Sequence, residues 1–141
     1  MDIVKPTTKD TVLAIDFGTV RIGLAVSRYT LADPLEIITN NEDKFSKIEE
    51  ICVAQDVKKI VVGVSENEMA RKTKEFASEL KKDIKLNWSA DNKPTIEFMD
   101  ETLSSHSVHQ KLKTAKKSKR GADIDHYAAA EFLQEWLEEN Y

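Results

Sequence analysis

Apolar residues along this chain follow two rhythms, continuous runs and a three-and-four spacing, and their alternation sets out most of its elements. Val12–Ile15 is wholly apolar, as in a strand buried on both faces, and it ends on Asp16. A second run fills Arg21–Ser27; the tight turn between them contains Gly18, which predicts a hairpin. A short piece, Leu35–Ile38, follows Pro34 and is expected to pair beside the second strand. Phe45, Ile48, Ile51 and Cys52 then recur at helical spacing, predicting an amphipathic helix over Lys44–Gln55. Lys59–Val64 is again a continuous strand, and Glu66–Asp83 carries Met69, Thr73, Phe76, Ala77 and Leu80 on one helical face. Asn87–Pro94 reads as a polar loop and Thr95–Met99 as a strand leading into Asp100-Glu101. Ser104 or Ser105 can cap a helix bearing Val108 and Leu112. Ile124–Glu139 is the clearest helix, with Ala129, Phe132, Leu133, Trp136 and Leu137 on one side.

The resulting order, β-β-β-α-β-α-β-α-α, is a leading hairpin followed by βαβ units. Right-handed crossovers then build an α/β domain whose first, fourth and fifth strands run parallel. Their C-terminal ends share one edge, where open α/β sheets bind ligands. A chain of 141 residues makes one domain, 1–141, with 1–10 expected to be a flexible N-terminal tail.

Composition narrows the function classes. Met1–Asp10 is polar, with neither the apolar core nor the cleavage pattern of a signal peptide, and no apolar run is long enough to span a membrane. A cytoplasmic protein without membrane contact is expected. The one cysteine, Cys52, sits in an apolar stretch and reads as a small buried hydrophobe. Net charge is −4, which gives bulk electrostatics no pull towards nucleic acid. Distribution changes that picture, because Lys111, Lys113, Lys116, Lys117, Lys119 and Arg120 fall in one short stretch.

Candidate chemistry centres on carboxylates. Asp16 ends the first strand and Asp100-Glu101 follow the last, so both reach the same sheet edge. Gly63, on the strand between them, has no side chain to keep them apart. Asp125, four residues before Ala129, shares the apolar face of the final helix. Acids crowded into such a corner repel one another unless a cation intervenes. Mg²⁺, or Mn²⁺, suits hard oxygen ligands, and two such ions about 4 Å apart can activate water against a phosphodiester. Helix capping is the plainer role for Asp123 or Asp125 taken alone.

These residues carry a resemblance. "AIDFGTVRIGLAVS" (14–27), "KIVVGV" (59–64), "DETLSS" (100–105) and "DIDHYAAAEFLQEWL" (123–137) resemble, in order, the YqgF family of ribonuclease H-like proteins related to Holliday-junction resolvases. The resemblance implies a three-layer ribonuclease H-like fold: a five-stranded mixed sheet of order 3-2-1-4-5 with helices on both faces. It also implies a metal-dependent nuclease that trims the precursor of 16S rRNA or cuts four-way DNA junctions. Symmetric junction cutting needs two active sites, and the sequence shows no dimer face, so a monomer or weak homodimer is expected. Asp16, Glu101 and Asp125 match the family's acids, with Asp123 an alternative register. The chain departs from the family where Thr102 replaces an arginine and where Gly63-Val64-Ser65-Glu66 replaces a Gly-Leu-Pro sequence and a longer glycine-bearing loop. Glu66 is a reserve candidate for the second acid, because it follows a strand end closer to Asp16.

Lys116, Lys117, Lys119 and Arg120, just before Asp125, and Arg21, past the first turn, are candidate phosphate contacts. His106 and His109 lack further ligands and read as a surface pair, and His126 is weighed as an aid to proton transfer. Trp88, in the polar loop, is a candidate base-stacking residue, whereas Trp136 reads as core. Two rival classes stay open. One is an actin-like ATPase, suggested by the "DFGT" turn, and the other is a nucleic-acid-binding module of the same fold without catalysis.

Overall fold

Strand β1 (Thr11–Asp16) lies at the centre of the sheet and decides its layout. The computed structural model describes residues 10–64, 69–88, 93–100 and 125–140. Around β1 stand β2 (Arg21–Arg28), β3 (Leu31–Thr39), β4 (Val57–Val64) and β5 (Thr95–Asp100), in the order β3-β2-β1-β4-β5. β1 pairs antiparallel with β2 and parallel with β4, and β4 pairs parallel with β5. This is the expected mixed sheet.

Alternation along the strands splits the interior in two. Leu13, Ile15, Ile22, Leu24, Ile60 and Val62 face helices α1 (Lys44–Gln55) and α2 (Met69–Asn87), meeting Ile48, Phe76, Leu80 and Ile84. Val12, Ala14, Ala25, Val61 and Met99 face α3 (Asp125–Asn140) through Ala129, Phe132, Leu133, Trp136 and Leu137. Each Leu, Ile or Val so buried contributes about 1.5–3 kcal/mol. None of these helices is long and apolar enough to cross a membrane.

The boundaries of α1 agree with the sequence pattern. Its end comes from Asp56, whose φ of 55° is left-handed and whose N–H turns back to the carbonyls of Cys52 and Val53. That tight cap delivers the chain directly into β4, so β4 begins at Val57 and not at Lys59. β3 is also longer than Leu35–Ile38. Pro34 lies inside it, tolerated because β3 is an edge strand and its register against β2 shifts between Leu24 and Ala25.

The polar loop at Asn87–Pro94 needs a larger correction. α2 continues through Asn87, whose Nδ2 donates to Asp83 Oδ1 at 2.6 Å, and Trp88 Nε1 donates to Asp83 Oδ2 at 2.8 Å. Trp88 is 4% exposed and belongs to the α1–α2 core, so it is not available to stack on a base. A buried indole needs a partner for its N–H, and Asp83 supplies it. Trp136 is core, as expected. The predicted helix around Val108 and Leu112, and residues 1–9 of the predicted tail, lie outside the described residues.

Two predictions follow from these local features. Tyr29 takes a left-handed φ of 61° in the two-residue turn between β2 and β3, with its side chain exposed. Tyr29→Gly is therefore expected to stabilise the fold by about 0.5–1 kcal/mol, seen as a rise in Tm. Burial, reinforced by the charge of Glu49, pushes the Cys52 thiol from 9.0 up to about 12. Since the unfolded thiol ionises first, stability should fall as pH climbs from about 9 towards 12. In denaturant titrations across that range, Cys52→Ala should lose less stability per pH unit than the unmodified chain.

Candidate functional site

β1 ends on Asp16, half-buried at the C-terminal edge of the parallel strands. Alternation sets Asp16 with Val12 and Ala14 on the α3 side of the sheet, and turns Phe17 the other way. Phe17 stacks on Phe76 of α2 with ring centroids 4.6 Å apart, which fixes the chain just after the carboxylate. On one flank Asp16 pairs with Gly23 of β2. On the other, Ile15 pairs with Val62, so the next residue of β4 beside Asp16 is Gly63. The carboxylate thus has a glycine on each neighbouring strand, and no Cβ crowds it from either side.

The β1–β2 turn is held from several directions. A Cβ added at Gly18 would lie 2.5 Å from the carbonyl oxygen of Arg21, so no other residue fits there without moving backbone. From the end of β3, Asn40 donates its backbone N–H to the Val20 carbonyl and its Nδ2 to the Gly18 carbonyl, both at 2.9 Å. Asn40 and Gly23 escaped the sequence reading. Their roles depend on strand register, which no local pattern announces.

β5 ends on the first acid of the Asp-Glu pair. Gly63 pairs with Met99 and Val64 with Asp100. Met99 is buried on the α3 side, whereas Asp100 is exposed, one residue on, at a position that alternation assigns to the opposite face. Glu101 lies outside the described residues, as do Glu66, Asp123, His106, His109, Lys116, Lys117, Lys119 and Arg120. Arg21 is exposed at the start of β2.

α3 is fastened at its far end. Gln134 accepts the Ala32 N–H at 2.9 Å and donates to the Thr30 carbonyl at 3.0 Å, gripping the tip of the β2–β3 hairpin. Trp136 Nε1 donates to Glu97 Oε2 at 2.7 Å, and Glu97 Oε1 also pairs with Lys59 at 3.2 Å. Since that hairpin tip lies opposite the Asp16 edge and α3 packs over the sheet, the helix runs back towards Asp16. From Gln134 to the helix start at Asp125 is about 13 Å at 1.5 Å per residue. In this first turn His126 has a buried Nδ1 with no hydrogen-bond partner among the described residues, and its ring lies 4.6 Å from that of Tyr127. Among the described residues, no three His, Cys, Asp or Glu side chains form a cation site.

Comparison with known proteins gives a consistent picture. The profile of the RuvX family, described as Holliday junction resolvase, matches residues 10–139. A relative from Sulfurihydrogenibium sp. is 36% identical over 135 residues, covering 90% of this chain and 89% of its own, and is named as a candidate pre-16S rRNA nuclease. A Malacoplasma penetrans protein of the same name is 36% identical, with 89% of this chain and 92% of its own covered. Among solved structures, T. thermophilus RuvC in complex with a Holliday junction substrate superposes with a TM-score of 0.55 at 14% identity, over 93% of this chain and 95% of that one. That likeness concerns the ribonuclease H-like fold, which the sheet order already indicates. With its profile matched over almost the whole length, this chain belongs to the RuvX family.

Proposed function

We propose that this protein is a metal-dependent nuclease that hydrolyses phosphodiester bonds in the precursor of 16S rRNA. The observation that carries the reading is Asp16, a half-buried carboxylate at the ligand-binding edge of the sheet with Gly23 and Gly63 beside it. The names of the relatives supply the RNA substrate. The family description favours one second reading, cleavage of four-way DNA junctions by the same site.

The donor set fits a hard divalent cation. Asp16 offers carboxylate oxygens, and Glu101 and Asp125 complete the proposed ligands. Asp100, the last residue of β5, takes the face away from Asp16, which leaves the following acid, Glu101, as the proposed ligand. Asp125 is the first residue of α3, four before the buried Ala129. When bound, Mg²⁺ or Mn²⁺ supplies an activated water and charge stabilisation at the leaving oxygen. Arg21, Lys116, Lys117, Lys119 and Arg120 would neutralise phosphates flanking the cut. The reading suits a cytoplasmic enzyme acting as a monomer or weak homodimer.

Incubation with Mg²⁺ or Mn²⁺ and labelled substrates tests the proposal, using a 16S precursor fragment and a four-way junction side by side. Asp16→Asn is expected to reduce cleavage by about a hundredfold or more while leaving the melting temperature near that of the parent. Binding without cutting, with either metal and either substrate, would leave only the non-catalytic module. Gly18→Ala is expected to slow cleavage and to lower stability by about 1–3 kcal/mol, because the Arg21 carbonyl must move. Cleavage rates measured beside a thermal melt check both effects.

A further inference from the structure

The two faces of the sheet carry opposite charge. α3 contains Asp125, Glu131, Glu135, Glu138 and Glu139 and no Lys or Arg, whereas α2 has six basic residues against three acidic. The charges on α2 are also sorted around the helix. Arg71, Lys74, Lys81, Lys82 and Lys85 fall within a sector of about 100°, with only Ser78 among them, all exposed. Glu75, Glu79 and Asp83 form the adjacent sector at intervals of four. Phe76 stacks on Phe17 and lies near Phe45 of α1, so the basic sector is turned away from α1. None of these five basic side chains has an ion pair with a described residue. Lys93 extends the row by donating to the Lys85 carbonyl at 3.1 Å.

We propose that this flank of α2 is a docking surface for the phosphate backbone of the nucleic acid, separate from the basic stretch before Asp125. Five cations held along about 21 Å of helix, none of them in an ion pair with a described residue, match a polyanion of regular spacing. A protein of net charge −4 does not attract nucleic acid uniformly, so a segregated row of this kind decides where the strand lies. The row begins near the site: Met69 opens α2 five residues after Val64, the last residue of β4 at the Asp16 edge, a span of at most about 18 Å. The assignment rests on the nuclease reading for the identity of the ligand, and it concerns binding alone.

Fluorescence anisotropy tests it without any cleavage, in EDTA across a salt series, with a labelled single-stranded RNA and a four-way DNA junction as probes. Lys74→Gln/Lys81→Gln/Lys85→Gln should weaken binding about tenfold or more and reduce the slope of log K against log salt by about two to three. A control, Lys47→Gln, removes an exposed charge on α1 and should change little. Circular dichroism and a thermal melt show whether the triple variant is folded, and a Lys→Arg triple should retain the affinity. Loss with one probe alone supports the surface and identifies which nucleic acid uses it. Unchanged affinity and slope with both probes, or an equal loss in the control, overturns the proposal. Because EDTA removes the metal, absence of nuclease activity would leave this test intact.

Discussion

The double confinement of β1 is the constraint on which the site depends. Val12, Leu13, Ala14 and Ile15 have no exposed surface, and the strand is paired along both edges. A strand held in this way cannot slip by one residue, because every side chain would change face. Such a slip would turn the Asp16 carboxylate towards the Phe17–Phe76 stack and place Phe17 at the edge. Correct packing of ordinary aliphatic residues therefore fixes the direction of the one charged group. The two flanking glycines complete the arrangement by leaving that direction open.

α3 carries the same logic to the other side of the site. Its buried stripe gives adhesion to the sheet, but adhesion alone leaves a helix free to slide. Gln134 substitutes for a missing strand at the hairpin tip, and the Trp136–Glu97–Lys59 cluster ties the helix to β5 and β4. Part-buried hydrogen bonds are directional, and leaving an indole N–H or a carboxylate without its partner is costly. These contacts sit far from Asp16, so they act through the rigidity of the helix, which carries the start of α3 to the functional edge.

Segregated charge then distinguishes the faces. α3 presents acids and α2 a row of bases, although the chain as a whole is mildly acidic. Bulk charge misleads here, since a polyanion responds to the local field within a Debye length of about 8–10 Å. The helical repeat of α2, once its buried face is known, converts a mixed sequence into two separate flanks.

Much of this was legible in the residues themselves. Short continuous aliphatic runs rich in β-branched residues and bounded by turn residues read as strands buried on both faces, and the periodicity of Phe45–Cys52 and Ala129–Leu137 leaves little choice of face. Asp16 was visible for the same reason, as a charge ending an apolar strand. Pro34 hid the length of β3, because its effect depends on whether the strand is central or at an edge. The polar residues around Trp88 hid the end of α2, because a tryptophan's burial depends on Asp83 reaching its N–H. The sequence by itself determined the elements, the sheet edge and the acid that ends β1, since those follow from short-range pattern and hydrophobic burial. Only the tertiary structure decided that Gly23 flanks Asp16 on its other side, that Asn40 braces the turn, and that α2 turns its bases outward. Those facts are matters of register and helix orientation, which arise when distant segments pack together.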